Sequence, residues 1–162
     1  MKILGIDPGI ARCGWGVIEV QNSKIKMQNC GCIETSPKKT VEKRLEEIYQ
    51  EITKIIKVHQ PDALAIEELF FNTNAKTAFV VGQARGVILL AAAQNNLEIA
   101  IYTPLQVKLA LTGYGRAEKP QVGQMVKTLL SLKEIPKPDD TADGLAIAIT
   151  HAFSTRTAKL TK

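Results

Sequence analysis

Four acidic residues of this chain stand where the backbone, rather than a mobile surface, decides the direction of a carboxylate. Asp7 closes the apolar run Lys2-Ile3-Leu4-Gly5-Ile6 and is followed by the turn pair Pro8-Gly9. Glu67 closes a second uninterrupted apolar run, Ala63-Leu64-Ala65-Ile66. Asp140 and Asp143 are three apart, shortly after Pro136-Lys137-Pro138, in the first turn of an expected helix, so both carboxylates fall on one helix face. Clustered carboxylates repel one another and are costly to desolvate, and they persist together mainly where a hard cation or a proton offsets the charge. Oxygen-only ligands select Mg²⁺ or Mn²⁺ over zinc or copper. Two such ions about 4 Å apart activate a water and stabilise the leaving oxygen of an in-line phosphodiester displacement. The chemistry implied is hydrolysis of a nucleic-acid strand.

Taken singly, each residue has a plainer explanation. Asp139, Asp140 and Asp143 sit where caps and first-turn acids are favoured by about 0.5 to 1 kcal/mol. Glu67 beside Glu68 is also a solvated strand end, and Asp7 before Pro8-Gly9 an ordinary turn residue. The joint pattern is what favours a site, with Asp139 left as the cap.

Cations gather near the same elements. Lys108, Arg116 and Lys119 flank a loop containing Gly113 and Gly115, where they can neutralise phosphates, although a solvated cationic surface has the same composition. The net charge of +5 suits a polyanionic partner without identifying it. Phe70 and Phe71 follow the strand that carries Glu67, where an aromatic ring can stack on an unpaired base or serve a core or interface. His59 and His151 are both badly positioned for a general base, and Trp15 reads as a core or sheet-face residue. Cys13, Cys30 and Cys32 are an odd number without a second metal-ligand pair, so they read as reduced, partly buried small side chains.

The elements that must position these groups follow from periodicity. Residues 2–7 form a central strand, and residues 14–20 and 24–34 form two more joined by a hairpin turn at 21–23. A helix runs from about Thr40 to His59, with Leu45, Ile48, Ile52, Ile55 and Ile56 at helical spacing, and Pro61 stops it. Residues 63–66 make an apolar strand that delivers Glu67. A helix apolar nearly all round spans 74–94, with Gly82 and Gly86 four apart to admit another helix. A strand at 98–102, a helix at 104–111, a loop at 112–118 and a helix at 119–130 follow. The last helix covers 139–154. The order predicts a five-stranded mixed sheet with helices on both faces, an α/β single domain over 1–155, and a basic tail at 156–162 expected to be frayed. Ligands of such a sheet gather beyond the carboxyl ends of its strands, where Asp7 and Glu67 are expected. No apolar run approaches the ~20 residues of a membrane span, and a cytosolic protein is expected.

Together the motifs resemble the RuvC family of bacterial Holliday junction resolvases, over essentially the whole chain. The landmarks are Ile6-Asp7-Pro8-Gly9 with Gly14-Trp15-Gly16-Val17, Ala65-Ile66-Glu67, Gly82-Gln83-Ala84-Arg85-Gly86, Val107-Lys108, Ala117-Glu118-Lys119 with Gln121-Val122, and Asp140-Thr141-Ala142-Asp143 running into Leu145-Ala146-Ile147-Ala148. The resemblance implies an RNase H-like fold, a homodimer, and paired symmetric nicks in a four-way DNA junction. It implies that Asp7, Glu67, Asp140 and Asp143 hold Mg²⁺, two ions per site with Mn²⁺ as a substitute. It further implies that Lys108 and Lys119 meet the DNA backbone, that Phe70 probes an opened base pair, and that the branch-migration proteins RuvA and RuvB are partners. Some family members carry histidine at the place of Asp140, which leaves that residue either a ligand or a proton-transfer group. Gly144 stands where alanine is usual, and Pro120 beside Lys119 is uncommon but tolerated in a first helical turn.

Three rivals remain at the level of sequence. Asp7-Pro8-Gly9 also resembles the phosphate loop of actin-like ATPases and sugar kinases, but those need two such domains and this chain has room for one. A small RNase H-like nuclease that trims ribosomal RNA precursors shares the strand-end pattern. A catalytically inert DNA-binding module needs only the basic charge.

Overall fold

Strand β1 (Lys2–Asp7) lies in the middle of a five-stranded sheet of order β3-β2-β1-β4-β5, which is why its sequence is apolar without alternation: both faces are covered. The computed structural model describes the chain except residues 23, 69–74 and 161–162, and for 75–77 and 157–160 the backbone alone. Strands β2 (Arg12–Gln21) and β3 (Lys24–Glu34) extend the sheet antiparallel on one side of β1. Strands β4 (Ala63–Glu67) and β5 (Glu98–Tyr102) extend it parallel on the other. The sheet is therefore mixed, as expected. Strand β2 starts earlier than its alternating pattern suggests, because Arg12 and Cys13 still pair with Glu34 and Ile33 of β3 after β1 has ended.

Helices cover both faces. Helices α1 (Val41–His59) and α2 (Ala75–Gln94) pack on the face presented by Leu4, Ile6, Leu64 and Ile66. Helices α3 (Pro104–Thr112), α4 (Lys119–Leu129) and α5 (Asp139–Leu160) pack on the face presented by Ile3 and Ala65. Of the residues expected to line α1, Ile48, Ile52, Ile55 and Ile56 are buried and Leu45 packs against them partly buried, and the helix closes at Gln60 in the left-handed conformation (φ 48°) just before Pro61. In α3 a reciprocal cap forms, with the Thr103 hydroxyl accepting from the Gln106 N–H at 3.1 Å and the Gln106 carboxamide oxygen accepting from the Thr103 N–H at 2.8 Å. Helix α2 buries Ala84, Ile88, Ala91 and Ala92 but leaves Phe79 and Leu90 exposed. Helix α5 continues past Ser154 to Leu160, since no proline or glycine interrupts that stretch.

The seat of α5 on the sheet decides where its first turn falls. Gly5, Gly14 and Gly16 present backbone in place of side chains on the face that α5 covers. A Cβ on Gly14 would collide with the Asp140 carbonyl, and one on Gly144 would stand 2.7 Å from Trp15 Cα and 2.8 Å from its nitrogen. Helix and strand thus touch backbone to backbone, and Gly144, which sequence alone reads as a modest helix penalty, permits that contact in this chain. Among the described residues no helix is long and apolar enough to cross a membrane.

Candidate active site

Alternation along the strands sends Asp7 and Glu67 to one place. Ile6 pairs with Ile66 across β1 and β4, so the next residue of each strand stands beside the other, and both point to the face covered by α5. The first turn of α5, held against β2 by the glycines, brings in Asp143. These three carboxylates line a cavity of about 320 Å³ with Lys108 of α3 and Lys119 of α4, and Val107, Val122 and Ile147 form its apolar wall.

The charges are strongly coupled. Asp7 is pushed up to about 8, first by burial, then by the negative charges of Glu67 and Asp143, with Lys119 opposing and Asp140 adding a smaller push. Glu67 lies above the usual carboxylate range through burial and the neighbouring Asp143, opposed by Lys119, a hydrogen bond with Asp7 and Lys108. The Lys119 ammonium donates to Asp143 Oδ2 at 2.8 Å, a bond that holds its own pKa above the ordinary lysine value.

The expected residues separate into three groups. Asp7, Glu67, Asp143, Lys108 and Lys119 meet at the cavity. Asp140 stands apart from the other three acids: it acts on Asp7 electrostatically but does not line the cavity. Arg116 is exposed on the loop after α3 and does not line the cavity either. Phe70 lies outside the described residues. Glu68 is exposed and contributes only its N–H, bonded to the Tyr102 carbonyl at 2.8 Å, so it does not compete with Glu67 for the site.

Two supporting groups are not legible as such in the sequence. Arg85 of α2 donates from Nε to the Glu67 carbonyl at 3.3 Å, fixing the end of β4 from the opposite face. Its signal is the Gly82 to Gly86 motif that contains it. Tyr102, paired in register with Glu67, bonds through its hydroxyl to His151 Nδ1 at 2.8 Å. Burial holds His151 below the usual histidine range, and because the ring is buried, bonded to Tyr102 and absent from the cavity lining, it is no candidate base. Cys13 is buried with its thiol pushed up to about 12, chiefly by burial, and all three cysteines are free.

The donor set can be tested for a metal. Among the described residues no three acid, histidine or cysteine side chains stand close enough together, as oriented, to hold one ion. Asp7, Glu67 and Asp143 share one cavity, and there the Asp143 oxygen is bonded to Lys119. The chemistry of the donors nevertheless fits a hard divalent cation: every group is a carboxylate, and burial together with the charges of Glu67 and Asp143 raises Asp7 more than Lys119 lowers it, a balance that an added cation would shift.

Comparison with known proteins gives the same architecture. The family model described as crossover junction endodeoxyribonuclease RuvC matches residues 3–151. Crossover junction endodeoxyribonuclease RuvC of Alkaliphilus metalliredigens is 58% identical over 154 residues, spanning 95% of this chain and 94% of that protein. The solved RuvC of Thermus thermophilus superposes with a TM-score of 0.91 at 39% identity, over 98% of this chain and 97% of its own. A second T. thermophilus RuvC structure, in complex with a Holliday junction substrate, gives 0.89 at 37% identity over 97% and 96%. With the five-stranded mixed sheet and its two helical layers, the fold is RNase H-like. A match that begins at β1 and ends within α5, and so contains every acid brought to the cavity, makes this chain a member of the RuvC family of crossover junction endodeoxyribonucleases.

Proposed function

We propose that this chain resolves four-way DNA junctions by paired symmetric nicks, using divalent ions held by Asp7, Glu67 and Asp143 with Asp140 at the edge. The observation that carries the reading is the convergence of three carboxylates and two lysines on one cavity, in a chain 37% identical to a RuvC solved with a Holliday junction substrate. Bound at these carboxylates, two Mg²⁺ ions would supply Lewis acidity to the attacking water and to the leaving oxygen, and Mn²⁺ would substitute. The protein's own groups do the rest. Lys108 and Lys119 hold the phosphate beside the carboxylates, and Val107, Val122 and Ile147 keep bulk water off one side. Phe70 stacks on a base opened at the crossover, and Arg116 meets the backbone farther out.

Two symmetric cuts need two sites, and each chain supplies one, so the working form is a C₂ dimer. Helix α2 supports this: Phe79 and Leu90 are exposed, and a Cβ on Gly86 would meet nothing within 4 Å, leaving room for a partner helix. RuvA and RuvB are the expected partners at the junction, and the cytoplasm, where the chromosome lies, is the expected compartment.

The test is incubation with a synthetic four-way junction, a linear duplex and a structured RNA, each with Mg²⁺ or EDTA. Metal-dependent cutting of the junction alone supports the proposal. Cutting of the RNA instead would favour the ribosomal precursor nuclease, and binding without any cutting would favour an inert DNA-binding module.

A further inference from the structure

The site already contains two cations, and one of them, Lys119, comes from an unexpected position. Lys119 is the first residue of α4, where the partial positive charge of the helix terminus disfavours an ammonium. Apart from the N-cap Glu118, the first turn of α4 holds no acid to compensate. Compensation comes from across the cavity, through the 2.8 Å bond to Asp143 Oδ2. The two partners differ in exposure: the Lys119 side chain is 71% exposed, whereas that of Asp143 is 25% exposed. Lys119 and Asp143 both also line a neighbouring cavity of about 220 Å³, with Pro120, Lys137 and Asp139, so the ion pair borders a second opening as well as the carboxylate site.

We infer that Lys119 is a stand-in cation: it neutralises Asp143 in the ion-free protein, must release it when a divalent ion binds, and is then free to take a DNA phosphate. The inference rests on the proposed metal role of Asp7, Glu67 and Asp143. A lysine serving only as a phosphate contact needs no bond to an acid of the site. A stand-in needs that bond and a long exposed side chain that can leave it, and Lys119 has both. Lys108 makes a useful contrast, since it lines the same cavity without an ion pair to any carboxylate among the described residues. Metal and phosphate should therefore reinforce each other's binding through Lys119, each making the other's partner available.

The experiment is titration of Mn²⁺ alone, without DNA, followed by electron paramagnetic resonance, with wild type, Lys119→Ala, Lys119→Gln, Lys119→Arg and Lys108→Ala. Removing a positive competitor at this distance should tighten Mn²⁺ binding roughly tenfold in Lys119→Ala and Lys119→Gln. Lys119→Arg should stay near wild type, and Lys108→Ala should change less than Lys119→Ala. In parallel, Mn²⁺ should raise the melting temperature of Lys119→Ala more than that of wild type. Unchanged or weaker Mn²⁺ binding in both Lys119→Ala and Lys119→Gln, with wild type still binding, overturns this inference alone. Wild type that binds no Mn²⁺ overturns the metal reading and this inference with it.

Discussion

Replacing Asp7 by asparagine should stabilise the metal-free protein while abolishing its chemistry. Asp7 titrates near 8 in the folded chain against 3.8 for an ordinary aspartate, because burial and the charges of Glu67 and Asp143 oppose its ionisation. Between those two values the folded state holds a proton that the unfolded state has released, so stability falls as pH rises. The contribution is fully present below pH 3.8 and is lost on approaching pH 8. Each pH unit in that window is worth about 1.4 kcal/mol, which sets a ceiling of about 4 kcal/mol at pH 7. Asp7 keeps partial access to water, which relieves part of the cost, and we expect a gain of about 2 kcal/mol for Asp7→Asn at pH 7. The assay is urea unfolding in EDTA at half-unit steps from pH 4 to pH 8. The two proteins should coincide near pH 4 and diverge steadily, with the variant the more stable. Saturating Mg²⁺ should narrow the difference, since the ion stabilises only a site that binds it. A variant equal to or weaker than wild type at pH 7 to 8 in EDTA, or a difference that shrinks as pH rises, would refute the electrostatic reasoning.

Other outcomes follow from the same geometry. Glu67→Gln and Asp143→Asn should each abolish junction cleavage in a gel assay while gel-shift binding stays within about threefold of wild type, because loss of negative charge does not weaken contacts to a polyanion. Gly14→Ala forces its Cβ into the Asp140 carbonyl. It should cost about 1 to 3 kcal/mol in urea unfolding and slow cleavage by shifting the first turn of α5; unaltered stability would show that helix and strand do not touch. Phe70→Ala should slow cutting of a fully paired junction and recover on one with an unpaired crossover, whereas equal loss on both would indicate a structural role. Sedimentation should give a dimer, and charging the exposed α2 surface with Phe79→Glu should shift it toward monomer.

Much of this arrangement is written in the linear pattern, and the remainder is not for definable reasons. The strand-end positions of Asp7 and Glu67 follow from period-two geometry and from the turn that closes each apolar run, which are local properties. Convergence of Asp143 depends on Gly5, Gly14, Gly16 and Gly144, whose value lies in what faces them across the core. A glycine reads in sequence as a turn or a helix penalty, so its use as a contact surface is visible only once the partner is known. The same limit applies to Asp140, which shares a helix face with Asp143 yet remains outside the cavity. Arg85 and the Tyr102–His151 bond are long-range pairings that no local spacing announces. For Lys119 the sequence indicates a cation near a helix start, but only the fold reveals that the cation answers Asp143.

The central claim is that acids distant along the chain gather to hold divalent ions. Crystals soaked in Mn²⁺ and measured for anomalous scattering test it most directly. We expect at least one strong peak within ligating distance of Asp7 and Glu67, with Asp143 turned from Lys119 toward the ion. A saturating soak that leaves the Lys119–Asp143 bond intact and yields no peak at these carboxylates would contradict it.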